Sequence, residues 1–196
     1  MYRSNSFIII FIALATLSGV CQGADKDSKF AVKAVGTKDC QRYLAARETG
    51  GSEYSLYGGY LAGYISAYNQ LVPDTFDISP WQNMDTLAGM MASHCKKFPG
   101  ENFSLALNRM IEALKKAQLD KASITVEARI GGRQIRIYKE SLRRAQAKLA
   151  ALGLYKDLPD GRFGSGTQEA LKAFQEQKGL SQTGLPDQIT LFHLSY

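Results

Sequence analysis

Residues 160–167 read "DGRFGSGT" and run into "QEALKAFQEQKGL" (168–180). Gly161, Gly164 and Gly166 stand within six positions, directly ahead of a stretch whose Ala170, Leu171 and Phe174 recur at helical spacing. Glycines before a helix N-terminus can cradle a phosphate, because backbone N–H groups and the helix dipole face the anion there. Here the lysine that precedes the Ser or Thr of a phosphate loop is missing. The upstream segment "LAALGLYKDLP" (149–159) is a helix end and a turn, not a buried strand. The letters fit a backbone role better. "PDG" (159–161) is a turn in which Gly161 takes a positive φ, and Gly164 or Ser165 caps the helix. Thr167 and Glu169 then set a hydroxyl and an acid at its first N–H groups.

Working outward, "SLRRAQAKLAALG" (141–153) carries Leu142, Ala145, Leu149 and Leu152 on one stripe, with Gly153 as the C-terminal stop. The second helix runs from about residue 165 to 178 and stops at Gly179. A third, short helix follows Asp187, an N-cap, and offers Ile189, Leu191 and Leu194. No low-complexity tract and no internal repeat stands out.

Four marks occur here in order: "AQAKLAALG" (145–153), "DGRFGSGT" (160–167), "ALKAFQEQKGL" (170–180) and "TGLPDQITL" (183–191). Together they resemble the peptidoglycan-binding domain family, three-helix cell-wall modules, across residues 141–194. Ser165 departs from the proline often seen after that glycine, and Ile189 stands where a small residue is common. The resemblance implies binding of peptidoglycan without chemistry, by a module that is usually attached to a wall hydrolase. A glycan–peptide ligand calls for a shallow groove with planar groups for sugar faces and donors or cations for carboxylates. Around the loop, Tyr155, Asp160, Arg162, Phe163 and Gln168 can supply them, on a frame of Gly161, Gly164, Gly166 and Thr167. Phe163 has two open readings, core residue or contact, and Asp160 either closes the turn or touches ligand. Arg162, flanked by glycines, is the foremost candidate for a stem-peptide carboxylate.

Upstream the period changes from helical to alternating. "ITVEARIGGRQIRIY" (124–138) reads as a hairpin about Gly131-Gly132. Pairing Ile130 with Arg133 sets Ala128 opposite Ile135 and Val126 opposite Ile137 on one face. Glu127 then falls opposite Arg136 on the other.

From Asp39 to about Leu119 the pattern is helical. "SEYSLYGGYLAGYISAYNQLV" (52–72) places Tyr57, Leu61, Tyr64, Ile65, Tyr68 and Val72 on one stripe, and Gly59 and Gly63 form a small strip for the close approach of another helix. "WQNMDTLAGMMASHCKK" (81–97) reads as a helix with Leu87, Met90, Met91 and His94 near one face. "ENFSLALNRMIEALKKAQL" (101–119) repeats the period through Phe103, Leu107, Met110, Ile111 and Leu114. The polar stretch "ADKDSKFAVKAVGTK" (24–38) lacks a sustained period and reads as a tether.

Arg3, the apolar run "FIIIFIALATL" (7–17) and "SGVCQGA" (18–24) form the pattern of a secretory signal peptide, with cleavage expected after Gly23. Val20 argues against a lipid on Cys21. The run is short of the roughly 20 apolar residues that span a bilayer, and no later segment approaches that length. Without the signal two cysteines remain, Cys40 and Cys95, in a compartment where a disulfide persists. Closing that loop contributes about 4 kcal/mol in the chain-entropy treatment. The formal charge of +6, of which Arg3 is the signal's only part, suits an anionic polymer or membrane surface. Basic residues do not cluster with aromatics, so nucleic acid is not expected as a partner.

Catalytic parts are scarce. Within residues 39–119 the candidate acid is Glu48, beside the glycine turn of "AARETGG" (45–51), and no matching second carboxylate stands out. His94 and His193 lie far apart in sequence, which leaves no metal set, no nucleophile triad and no expected cofactor. "CQRYLAAR", "YGGYLAGYISAYN", "DISPW" and "MASHCKKFPGENFSLALNRMIEAL" resemble small secreted helical proteins with one disulfide, around the periplasmic acid-stress chaperones and the immunity proteins of type VI amidases. The Tyr57, Tyr60, Tyr64 and Tyr68 stripe is then either packed core or, in part, a face for a protein partner.

The expectation is a mainly α protein: signal 1–23, tether 24–38, a disulfide-stapled helical bundle 39–119, a β-hairpin linker 120–140 and a three-helix peptidoglycan-binding module 141–196. Its expected role is a non-enzymatic, periplasmic, wall-associated protein whose partners are peptidoglycan and a further protein. The alternatives are a wall hydrolase with an unrecognised N-terminal site, or an immunity or inhibitor protein.

Overall fold

The computed structural model describes residues 24–27 and 29–195. The expected signal segment, with Cys21, lies outside them. Residues up to Ala31 form a unit of their own, in which the Asp25 carboxylate accepts from the N–H groups of Asp27 and Lys29. The second unit, Val32–Tyr196, carries all the regular structure described below.

A 3-10 turn at Ala34–Thr37 opens it. Although this stretch reads as tether, Val35 is buried with the first core. α1 (Cys40–Thr49) starts on Asp39, whose carboxylate accepts from the Arg42 N–H at 2.8 Å. Gly50, at φ 71°, turns the chain into α2 (Gly51–Leu71), and Arg42 clamps Glu53 across that turn at 2.7 and 2.8 Å. α3 (Met84–Lys97) and α4 (Phe103–Leu114) complete the bundle.

The bundle core centres on three rings. Tyr43, Tyr57 and Phe103 lie with centroids 4.8–5.1 Å apart, all essentially without solvent exposure. The Tyr43 hydroxyl donates to the Ala88 carbonyl at 2.8 Å, and burial pushes its pKa up to about 12. A disulfide joins Cys40 to Cys95, the pair expected, and ties the start of α1 to the end of α3.

Two expectations for this half are corrected. α3 begins at Met84, not at Trp81, because the Asn83 side chain caps it by accepting from the Thr86 N–H at 2.8 Å. Trp81 is thereby free to leave the helix line. Gly59 and Gly63, expected to seat another helix, lie on an outward face of α2, where a β-carbon at either position would meet no described residue within 4 Å. The apolar stripe that decides the packing, Tyr57, Leu61 and Ile65, points the other way.

β1 (Thr125–Ile130) and β2 (Arg133–Tyr138) pair antiparallel in the expected register, Ile130 with Arg133, Ala128 with Ile135, Val126 with Ile137 and Glu127 with Arg136. The Glu127 carboxylate makes its ion pair with Arg129 on its own strand, at 3.2 Å. α5 (Lys139–Ala151) follows at once, then α6 (Ser165–Gln177) and α7 (Gln188–Ser195). These bury a second core around Leu142, Leu149, Leu171 and Phe174.

Trp81 belongs to this second core although it precedes α3 of the first half. Around it the halves are bonded. The Gln188 amide donates to the Trp81 carbonyl at 2.5 Å and accepts from the Asn83 N–H at 3.0 Å and the Thr86 hydroxyl at 2.7 Å. Arg144 on α5 donates to the carbonyls of Ala117 and Gln118.

Candidate functional site

The loop between α5 and α6 is built around one buried amide. Gln146, on α5 and fully excluded from solvent, accepts from the Gly161 N–H at 2.7 Å through Oε1. Its Nε2 donates to the Arg162 carbonyl and the Thr167 hydroxyl, each at 2.9 Å, and more weakly to Asp160 Oδ1 at 3.4 Å. A buried amide with every group partnered holds its loop firmly, because an orphaned buried donor costs more than a made bond returns.

The glycines serve the backbone. Gly161 has φ 70°, and a β-carbon there would stand 2.4 Å from the Lys139 carbonyl oxygen; one on Gly166 would meet Asp157 Oδ2 at 2.6 Å. A side chain at Gly161 would push the loop off the start of α5, whereas one at Gly166 would have to turn the exposed Asp157 carboxylate aside. Asp160 closes the turn, accepting from the Arg162 N–H at 2.8 Å. That bond, with the Gln146 amide, holds its carboxyl below the usual range.

The same device occurs a second time, and this corrects the expectation of no internal repeat. Gln175 on α6, also fully buried, accepts from the Gly184 N–H at 2.8 Å, and Gly184 has φ 66°. Its Nε2 donates to the Thr183 hydroxyl, the Leu185 carbonyl and the Thr190 hydroxyl. Position by position, Thr183, Gly184, Leu185 and Thr190 stand where Asp160, Gly161, Arg162 and Thr167 stand around Gln146. The letters carry it: "LRRAQ" (142–146) and "LKAFQ" (171–175), each followed by a glycine and, six positions on, a threonine. The spacing from glutamine to glycine is 15 in one and 9 in the other, and the letters around the shared positions differ, which hides the repeat. Sequence patterning does not single out Gln146 and Gln175, because each sits beside an apolar stripe, where a glutamine reads as exposed.

The sequence candidates fall in different places. Arg162 projects into solvent, its side chain 82% exposed, with Nε 3.8 Å from Asp160 Oδ2. Phe163 is half-buried against the second core, and Tyr155 is buried within it. Gln168 is half-buried; its Cγ lies 2.9 Å from where a β-carbon on Gly184 would be, so it packs the first turn of α6 against the second glycine turn. Thr167 is buried on Gln146. Arg162 and Asp160, with the edges of Phe163 and Gln168, are therefore the part of the set that meets solvent.

In the first half, Tyr57 is buried in the ring cluster and offers no surface to a partner. Tyr60, Tyr64 and Tyr68 are half-buried against the same core, with the Tyr64 hydroxyl on Asn108 Oδ1. Burial pushes the Tyr60 and Tyr64 hydroxyls up in pKa. Glu48 is exposed near the end of α1. His94 Nε2 pairs with Glu101, which also takes Arg109 at 2.7 Å. Burial works to raise the Glu101 carboxyl, but the bonds from His94 and Arg109 outweigh it and hold the group low. Among the described residues, no three His, Cys, Asp or Glu side chains gather where a metal ion could be held, and no helix is long and apolar enough to cross a membrane.

No curated protein and no solved structure matches the chain. A family model described as "Putative peptidoglycan binding domain" matches residues 138–194, from the last residue of β2 through α7, and so spans both glutamine-centred loops. The resemblance of the C-terminal module to the peptidoglycan-binding domain family thus holds over those residues, with the wall polymer as the ligand class that it supports.

Proposed function

We propose that this chain is an exported, wall-associated protein of the periplasm, non-enzymatic, that binds peptidoglycan through its C-terminal module and presents its N-terminal helical half to a protein partner or as protection for the wall. The family match over residues 138–194 carries the reading. In it, residues 24–38 are the tether, whose 34–37 turn docks on the bundle through Val35, 39–119 the presented bundle, 120–140 the linker and 141–196 the wall module. Arg162 is the cation for a stem-peptide carboxylate, since an exposed guanidinium on a fixed loop can make two parallel bonds without strain. The half-buried edges of Tyr60, Tyr64 and Tyr68 are the candidate partner face, because tyrosine joins apolar area to a hydrogen-bonding tip.

The test is co-sedimentation of the full chain with purified sacculi, with turbidity followed in the same tubes. The expected result is pelleting of the chain at constant turbidity, and binding about tenfold weaker for Arg162→Glu. A chain that stays in the supernatant overturns the wall reading. Falling turbidity overturns the non-enzymatic part, and its abolition by Glu48→Gln would place an acid there.

A further inference from the structure

A hollow of about 540 Å³ lies along one face of α5, between Trp81 and the end of α4 on one side and α7 on the other. It is distinct from the glycine loop, and part of its wall comes from residues outside the matched module. Its floor is apolar and made of small groups beside larger ones, Ala145 on α5, Leu191 and Leu194 on α7, and Trp81, with the exposed Ala147 at the rim. Lys116, Arg143, Arg144 and Lys148 also line it, and no acid does among the described residues. Glu140 engages Arg143 and Arg144, whereas Lys116 and Lys148 take part in no ion pair among the described residues. The hollow therefore presents uncompensated positive charge over an apolar floor.

A second observation points to a ligand. Ser141 lines the hollow, is 6% exposed, and its hydroxyl has no hydrogen-bond partner among the described residues. An orphaned buried hydroxyl is disfavoured unless something completes it.

From this we propose that the hollow seats a carboxylate-ended stretch of the peptide stem of the wall polymer, so that the first half and the module read the ligand together. The proposal rests on the wall-binding reading above. Small methyl side chains of such a peptide suit a floor of alanine and leucine. Its backbone carbonyl or N–H completes the Ser141 hydroxyl, and its carboxylate meets Lys116 and Lys148. An acyl chain would suit the apolar floor but would leave Ser141 unpaired.

The experiment is a titration of the full chain, followed by calorimetry, with a synthetic stem pentapeptide bearing a free C-terminal carboxylate. Its C-terminal amide and dodecanoate are the comparison probes. The expected result is binding of the free acid, and binding about tenfold weaker for the amide and for the charge reversals Lys116→Glu and Lys148→Glu. Ser141→Ala should weaken peptide binding several-fold, on the order of one hydrogen bond, while the melting temperature holds or rises, which a merely structural serine would not do. Equal binding of acid and amide, binding unchanged in all three variants, no binding of the peptide, or dodecanoate bound in its place would each overturn the proposal. If sacculi still pellet the full chain while the peptide fails, the wall reading stands and this site falls. If sacculi do not pellet it, the wall reading falls whatever the peptide does.

Discussion

At the scale of single residues, two glutamines organise the C-terminal module. Each amide saturates one glycine N–H, one carbonyl and at least one hydroxyl, inside a space closed to water. Gln146→Leu keeps much of the volume but strands the Gly161 N–H and leaves the Arg162 carbonyl and the Thr167 hydroxyl with only their long bond to each other, at 3.3 Å. Each stranded group costs about 1–3 kcal/mol, and with partial relaxation the expected loss is about 3 kcal/mol. A urea unfolding curve reads it as a lower midpoint at unchanged slope. A loss near zero would mean that water replaces the amide and that the loop is not built on it. The glycines were legible as turn formers from their spacing, but what occupied their N–H groups was not. That partner lies 15 positions upstream at the first loop and 9 at the second.

At the scale of elements, local chemistry explains three of the helix starts and the hairpin register. Asp39, Asn83 and Asp187 each accept from a backbone N–H three positions on, where helices begin. The hairpin register was readable because alternation puts Val126, Ala128, Ile135 and Ile137 on one face only if Ile130 meets Arg133. The start of α5 carries the clearest electrostatic device. Glu140 accepts two bonds at 2.7 Å from Arg143 and a third from Arg144, and the Arg143 bond above all holds its pKa down to about 2. A carboxyl depressed in the folded state adds stability that is complete above the ordinary glutamate range and is lost as pH falls through it toward about 2. Comparing wild type with Glu140→Gln by urea unfolding isolates it from Glu101 and Asp160, which are also held low. The wild-type advantage should be full near about pH 6 and shrink steadily below about pH 4.5. An advantage that stays constant across that window would show that the two arginines contribute no net stability.

At the scale of the whole molecule, one side chain joins the two cores. Trp81 is the single tryptophan of the chain, and its ring is buried with α5, α6 and α7 while its backbone leads into α3. Gln188 fastens the same segment across a separation of 107 residues. Two halves so joined should unfold together, so tryptophan fluorescence and far-UV circular dichroism should trace the same urea transition. Trp81→Ala removes a large buried ring, at a cost of about 3–5 kcal/mol, and should split the dichroism curve into two steps. Two steps already present in the wild type would show that the halves are independent and that the junction is only a contact. The joint also bears on wall binding, because a module cut away from the first half would expose the surface that Trp81 covers.

What the sequence determined by itself is local in origin: the helical segments, the hairpin and its register, the pairing of Cys40 with Cys95, and the module marked by "DGRFGSGT" and its neighbours. Periodicity, turn chemistry and capping act within a few residues, so they can be read from the letters. Only the tertiary structure decided which faces meet. It sent Trp81 out of the α3 line and into the second core, left Gly59 and Gly63 on an exposed face of α2, closed two glutamine amides inside the module, and opened the cationic hollow along α5. Each of these depends on groups brought together from distant parts of the chain, where burial of the larger apolar surface outweighs what any short stretch prefers.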